Sequence, residues 1–369
     1  MPSFSRRSFL HLSAAAYAAA AFHGFTEPML AAAARRRPSP ADAVLIDANE
    51  NPLGPSQTAR DAMAAVLPQS GRYAENLTDD LIGLFAQSEG LSPDQVRAVA
   101  GSSPALSLSV VAFVSPEKSY VTADPGYESG MNVASILGAR VVKVPLTKTY
   151  SHDMKAMLAA APDAGIFYVC SPNNPTGTVT PHSDIEYLVA NKPKDSVVLV
   201  DEAYIHFTEV PSTLDLVKAG KDIIVLRTFS KVYGMAGLRC GFIIARPDLL
   251  EKVMKRGGWN AMPVTALAAA IASLKDPQLV SERRQINTSV RQQTFQWLDR
   301  NRYAYIPSVS NCFMLETRRP GQELRDAMAK EKVMVGRVWP SMPTWVRVTV
   351  GTADEMEHFQ TAFQKVMKA

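Results

Sequence analysis

Three cysteines in 369 residues, with no pair spaced Cys-x-x-Cys, exclude a disulfide framework and a cysteine-bound zinc site. Cys170, Cys240 and Cys312 stand far apart and read as buried, reduced thiols. Charge of one sign is equally scarce: 39 basic against 35 acidic side chains leave a formal +4. No basic stripe with interleaved aromatics accompanies it, which excludes a nucleic-acid partner. Long apolar runs are missing too. The longest in the N-terminal stretch, Ala14 to Phe22, is too short for a bilayer core, which takes about 20 helical residues. What is there is a composition 47% hydrophobic, in the range of soluble globular chains. The length fits one large α/β unit or two ordinary domains.

Residues 1–34 read as an export leader. Ser5-Arg6-Arg7-Ser8-Phe9-Leu10-His11 resembles the twin-arginine motif, and Ala31 to Ala34 offers small-residue cleavage sites. Such a leader implies a bacterial periplasmic or secreted destination, without stable membrane insertion after export. The triplet Arg35-Arg36-Arg37 reads as a solvated segment beside the processing site.

Past the leader, Val44-Leu45-Ile46 predicts a short strand, followed by the irregular arm Asn49-Glu50-Asn51-Pro52-Leu53-Gly54. From Val96 to Arg246, seven β-rich runs recur, several separated by helical stretches: 96–99, 120–122, 141–144, 166–170, 197–200, 223–226 and 241–244. They lack the period-2 alternation of half-exposed strands, as strands covered on both faces do. That predicts an α/β fold, a three-layer αβα arrangement around a mostly parallel sheet. Pro263 to Arg302 is helical in period, and its Arg283, Arg284 and Arg291 read as a solvated face. Tyr303-Ala304-Tyr305-Ile306, Cys312-Phe313-Met314-Leu315 and Trp345 to Val350 predict strands of a smaller α+β domain.

Polar groups recur just past predicted strand ends, where ligands bind in open α/β sheets. Gly101-Ser102-Ser103 turns from a strand into a helix whose first N–H groups suit a phosphate. Ser171-Pro172-Asn173-Asn174-Pro175-Thr176-Gly177 makes a rigid loop that points one amide, Asn174, at a ligand oxygen. Asp201 ends an aliphatic run, so its carboxylate needs a cation, and a protonated ring nitrogen would serve. Tyr204 follows within one helical turn. In Thr228-Phe229-Ser230-Lys231 the lysine, partly desolvated, suits Schiff-base formation with an aldehyde. Arg239, eight residues on, offers a guanidinium for a phosphate, and the Thr228 and Ser230 hydroxyls add donors. Arg347, among apolar neighbours in a strand of the second lobe, needs an anion, either a ligand or an internal carboxylate.

These motifs, in this order, resemble the fold-type I pyridoxal-phosphate (PLP) enzymes of the class I/II aminotransferases, closest to the histidinol-phosphate aminotransferase subgroup. The resemblance rests on Asn49-Glu50-Asn51-Pro52, Asn173 to Gly177, Asp201-Glu202-Ala203-Tyr204, Ser230-Lys231 with Ala236 to Arg239, and Val346 to Thr352, and it spans roughly Val44 to Lys368. It implies that Lys231 carries PLP and shuttles a proton. It implies that Asp201 pairs with the pyridine nitrogen, that Asn174 and Tyr204 bond the phenolic oxygen, and that Tyr127 stacks on the ring. Ser102, Ser103, Thr228, Ser230 and Arg239 would bind the phosphate, with Tyr73 reaching the neighbouring subunit's phosphate in a homodimer with shared sites. Arg347 would grip the substrate's carboxylate or phosphate, with Arg337 as a second anion contact and Asn49 beside the substrate. The implied reaction moves an amino group between an α-amino acid and a 2-oxo acid; decarboxylase, epimerase and oxidase chemistry occur in the same fold. No metal is implied. The implied division is 1–34 for the signal peptide, 41–76 for the arm and part of the small domain, 77–275 for the large PLP-binding domain, and 276–369 for the small C-terminal domain.

Two positions depart from the family pattern. Pro104 removes an N–H donor from the phosphate turn, where an acidic residue is usual nearby. Between Arg337 and Arg347 the loop Val338-Trp339-Pro340-Ser341-Met342-Pro343 is short and apolar, which favours a bulky apolar or aromatic side chain over a phosphate.

Overall fold

The computed structural model describes residues 42–257 and 261–368, so the leader with its twin-arginine motif lies outside the described residues. A seven-stranded sheet has the order β2-β8-β7-β6-β5-β3-β4. In chain order the strands are β2 (Val96–Val99), β3 (Ser119–Asp124), β4 (Val141–Pro145), β5 (Ala164–Cys170), β6 (Val197–Asp201), β7 (Ile223–Thr228) and β8 (Gly241–Ala245). Only β8 runs against its neighbours, β2 and β7; the pairs among β7, β6, β5, β3 and β4 are parallel. Every residue of β5, β6, β7 and β8 is buried, which requires helices over both faces and gives the layered α/β arrangement expected from the sequence. Their Val, Ile and Leu content suits a pleated surface packed on two sides. All seven predicted runs of this sheet are strands.

The register sets the site. Cys170 pairs with Asp201, and Thr228 pairs with Gly241, which in turn pairs with Val99. The loops leaving β2, β5, β6 and β7 therefore emerge at one edge of the sheet, the carboxyl edge.

A second hydrophobic core gathers β1 (Val44–Ile46), β9 (Cys312–Glu316), β10 (Val333–Val335), β11 (Trp345–Thr349) and the helices Leu279–Arg300, Gly321–Lys330 and Ala353–Lys368. β1 pairs parallel with β10, its Val44 and Ile46 inward and Leu45 outward, and β9 pairs antiparallel with β11. The arm thus begins in the small core and runs on to the sheet edge. Among the described residues no helix is long and apolar enough to cross a membrane.

The structure corrects two expectations and refines a third. Tyr303 to Ile306 is not a strand but makes one isolated bridge, Tyr305 to Leu315. The helical stretch is two helices, Val264–Leu274 and Leu279–Arg300, broken around Asp276, whose carboxylate accepts from the Gln278 and Leu279 amides and so starts the second. Arg291 is no solvated residue: it is buried, with Nη1 donating to Ser310 O at 3.0 Å and to Asn287. Its neighbour Arg284 reaches Thr208 O. Long stems carry these guanidiniums inward from a helix face that looks polar in sequence.

Candidate active site

The corner nearest β2 is built for an anion. Gly101 has φ +84°, and a Cβ there would overlap the Arg239 guanidinium, so only glycine lets the turn and the arginine coexist. The helix Ser102–Phe113 starts there without a side-chain cap, leaving its first N–H groups open. Arg239, itself left-handed at φ +60°, donates to Ala236 O at 2.8 Å and reaches Ser230 Oγ at 3.4 Å. Thr228 Oγ1 donates to Ser230 Oγ at 2.8 Å. A guanidinium, two hydroxyls and a helix start thus converge.

In the centre lies Asp201, 4% exposed. Tyr168 Oη donates to its Oδ2 at 2.9 Å and the Ala203 amide to its Oδ1 at 3.1 Å. Burial nevertheless raises its pKa, with those two bonds and the more distant Lys231 working against the rise. Among the described residues no cationic side chain pairs with it directly. Lys231, from the loop after β7, donates from Nζ to the main-chain oxygen of Asn49 at 3.0 Å. Burial, and secondly the Arg347 charge, lower its pKa to about 8.

Asn49 is the node between the arm and both cores. Its left-handed backbone, φ +53°, suits asparagine better than most side chains. Its Nδ2 donates to Tyr204 Oη at 2.9 Å, and its Oδ1 and N–H both bond Thr349 Oγ1. Arg347, 6% exposed, donates from Nη1 to Asn174 Oδ1 at 2.9 Å and from Nη2 to Asp47 O. Of the two readings open for it, a ligand anion or an internal carboxylate, the second fails: its partners are an amide and a carbonyl. Its Nε is buried without a hydrogen-bond partner among the described residues. Arg337 pairs with Glu128.

Lys231, Asp201, Tyr204, Asn49, Asn174 and Arg347 are thus brought together, with Ser102, Ser103, Thr228, Ser230 and Arg239 at the anion corner. Tyr127 sits beside Glu128 and influences Arg337 electrostatically. Tyr73 is not in this group; it is 74% exposed and lines a surface pocket with Ala261 and Met262. The sequence reading missed Tyr168, Thr349, Glu128 and the main-chain oxygens of Asp47 and Asn49. Tyr168 left a signal, since a phenol inside an otherwise apolar buried strand needs a partner.

Comparison with known proteins gives the class. The class I and II aminotransferase family matches residues 42–363, and the chain belongs to it. It is a pyridoxal-phosphate-dependent aminotransferase. It is 33% identical over 329 residues to a histidinol-phosphate aminotransferase of Symbiobacterium thermophilum, covering 88% of this chain and 91% of that one. It is also 33% identical to histidinol-phosphate aminotransferase 1 of Dechloromonas aromatica, over 88% and 90% of the two chains. The crystal structure of the Sinorhizobium meliloti histidinol-phosphate aminotransferase in complex with pyridoxal-5'-phosphate superposes with a TM-score of 0.83 at 25% identity, covering 88% of this chain and 91% of that one.

The residues fit the cofactor. Asp201 is a buried carboxylate short of a cation, and a protonated pyridine nitrogen is one. Lys231 has an amine whose pKa is lowered to about 8. The anion corner suits a phosphate monoester.

Tyr168→Phe removes one of the two donors that hold Asp201 ionised, a bond to a charged group worth about 1.5–3 kcal/mol. The variant should bind pyridoxal phosphate about tenfold or more weakly and shift the pH titration of its absorption band. Unchanged affinity and titration would reduce Tyr168 to a space filler.

Proposed function

We propose that the enzyme takes its amino group from an α-amino acid whose carboxylate is gripped by Arg347, and passes it to a 2-oxo acid in a ping-pong cycle. One observation carries this reading. Arg347 is a buried guanidinium with, among the described residues, no carboxylate partner and an unpartnered Nε, held in orientation by Asn174 and Asp47. A substrate carboxylate completes it with two parallel charge-assisted bonds.

Bound at this site, pyridoxal phosphate supplies an aldehyde for the amino group and a ring that accepts the electrons released at Cα. The chain's own residues do the rest. Asp201 keeps a proton on the ring nitrogen. Lys231, with its lowered pKa, moves a proton at the substrate's Cα. Asn174, its Oδ1 engaged by Arg347, would offer its Nδ2 donors to the phenolic oxygen, with Tyr204 as a second partner. Tyr127 would stack on the ring. Ser102, Ser103, Thr228, Ser230 and Arg239 hold the phosphate.

The test is a half-reaction screen: purified holoenzyme is mixed with single amino acids and the cofactor spectrum is followed while 2-oxo acid is assayed. Conversion to the amine form with stoichiometric oxo acid is expected. Efficient turnover of histidinol phosphate, the substrate that names the relatives, with amino acids inert, would overturn the reading.

Two further proposals complete it. The enzyme is a homodimer with shared sites, supported by the exposure of Tyr73 away from its own chain's cluster; light scattering at a single-chain mass would refute it. It is exported through the twin-arginine route to the periplasm, supported by Ser5 to His11; loss of the periplasmic pool on changing Arg6 and Arg7 to Lys is the check.

A further inference from the structure

Arg337, expected as a second anion contact, already has its anion. Its Nη1 lies 2.5 Å from Glu128 Oε2. Both side chains are largely shielded, at 37% and 23% exposure, so water screens the pair only in part. Oε2 itself is closed to solvent and has no hydrogen-bond partner among the described residues, so the ion pair alone holds it there. The two groups arrive from different cores. Glu128 follows Tyr127 at the start of the helix Ser129–Ile136 off the large sheet, its side chain making no capping bond there, whereas Arg337 leaves β10 in the small core.

What lies beneath the pair is aromatic. The Arg337 guanidinium carbon is 4.8 Å from the centroid of the Trp339 ring, and that of Arg347 is 5.7 Å from the same ring. Trp339 is 1% exposed and pinned by its Nε1–H to Gly126 O at 3.0 Å. One indole therefore joins the carboxylate-gripping arginine to a second arginine whose charge is neutralised.

We propose that Glu128 is a specificity-determining residue that occupies Arg337 in place of a substrate anion and restricts the side-chain end of the site to uncharged, aromatic or large apolar groups. The inference rests on the α-amino-acid reading above. An acidic side chain or a phosphate arriving at Arg337 must displace a tethered carboxylate or stand beside it with like charge. A site rejects a rival substrate by leaving such a charge in its way. An aromatic side chain meets neither obstacle and gains the indole face.

The experiment compares wild-type holoenzyme with Glu128→Gln, Glu128→Ala and the double variant Glu128→Ala/Arg337→Gln. Two quantities are read. One is kcat/KM for phenylalanine against glutamate and histidinol phosphate; the other is binding of inorganic phosphate by calorimetry, which needs no turnover. Wild type should favour phenylalanine over both anionic substrates. Either single variant should raise the anionic-to-aromatic ratio about tenfold or more and tighten phosphate binding by a similar factor, and the double variant should lose both gains. Single variants whose ratio and phosphate affinity stay within about twofold of wild type would overturn the proposal, as would a wild type indifferent to side-chain charge. If no amino acid is a donor, the parent reading fails in the turnover arm, while phosphate binding still reports whether Glu128 masks Arg337.

Discussion

Lys231→Ala should abolish covalent capture of pyridoxal phosphate and lower turnover by about four orders of magnitude, the upper range for a positioned acid–base group. No other described lysine appears in the cluster that joins Asp201, Tyr204 and Asn49, so no neighbour can take over. Borohydride reduction of the wild-type holoenzyme followed by peptide mapping should label Lys231, and label on another lysine would overturn the assignment. The sign of the pH effect follows from the lowered pKa. The amine is the nucleophile, and with its pKa moved from 10.5 to about 8 its fraction at neutral pH rises by roughly two orders of magnitude. Capture of the cofactor by the apo-protein should therefore accelerate as pH climbs and level off above about 8, with no such profile in Lys231→Ala.

Arg347→Ala should cut kcat/KM for the best amino acid by at least about a hundredfold. Breaking a buried charged pair costs about 3–5 kcal/mol, and each 1.4 kcal/mol is about a decade. Cofactor affinity should fall far less, because Ser102, Ser103 and Arg239 stand at a separate corner. Arg347→Lys should rescue in part, since an ammonium cannot form two parallel bonds. The geometry adds a second readout. Arg347 is among the charges that hold Lys231 low, so its loss should shift the rising limb of the capture profile to higher pH. Normal kinetics in Arg347→Ala would remove the carboxylate grip from the mechanism.

The large sheet was legible because strands covered on both faces leave unbroken aliphatic runs, and the chemistry was legible because it sits where those runs stop. Asp201 stands directly after one, Gly101 two residues past Val99 and Lys231 five past Leu226. The small core was harder to read. β10 is three residues long, too short for a periodic signal, and Tyr303 to Ile306 has strand composition but a single bridge to β9. Arg291 shows the limit of pattern on a helix: its position faces a neighbour that the sequence does not announce. Main-chain acceptors such as Asp47 O and Asn49 O leave no trace in residue type. Nor does Glu128, whose partner lies some two hundred positions along the chain.

The three thiols have a consequence of their own. Cys170, Cys240 and Cys312 are free and buried, and burial pushes each of them above the ordinary thiol value. A thiol kept protonated and out of solvent is a poor nucleophile toward disulfides and peroxide. Cys312 takes a bond from Asn49 Nδ2 at 3.1 Å, so its sulfur works as a small packed acceptor at the node of the site. The folded chain thus offers glutathione no disulfide to reduce and an oxidising fluid no accessible thiol to attack. Once the chain is folded, its thiols are indifferent to the redox poise of the fluid around it.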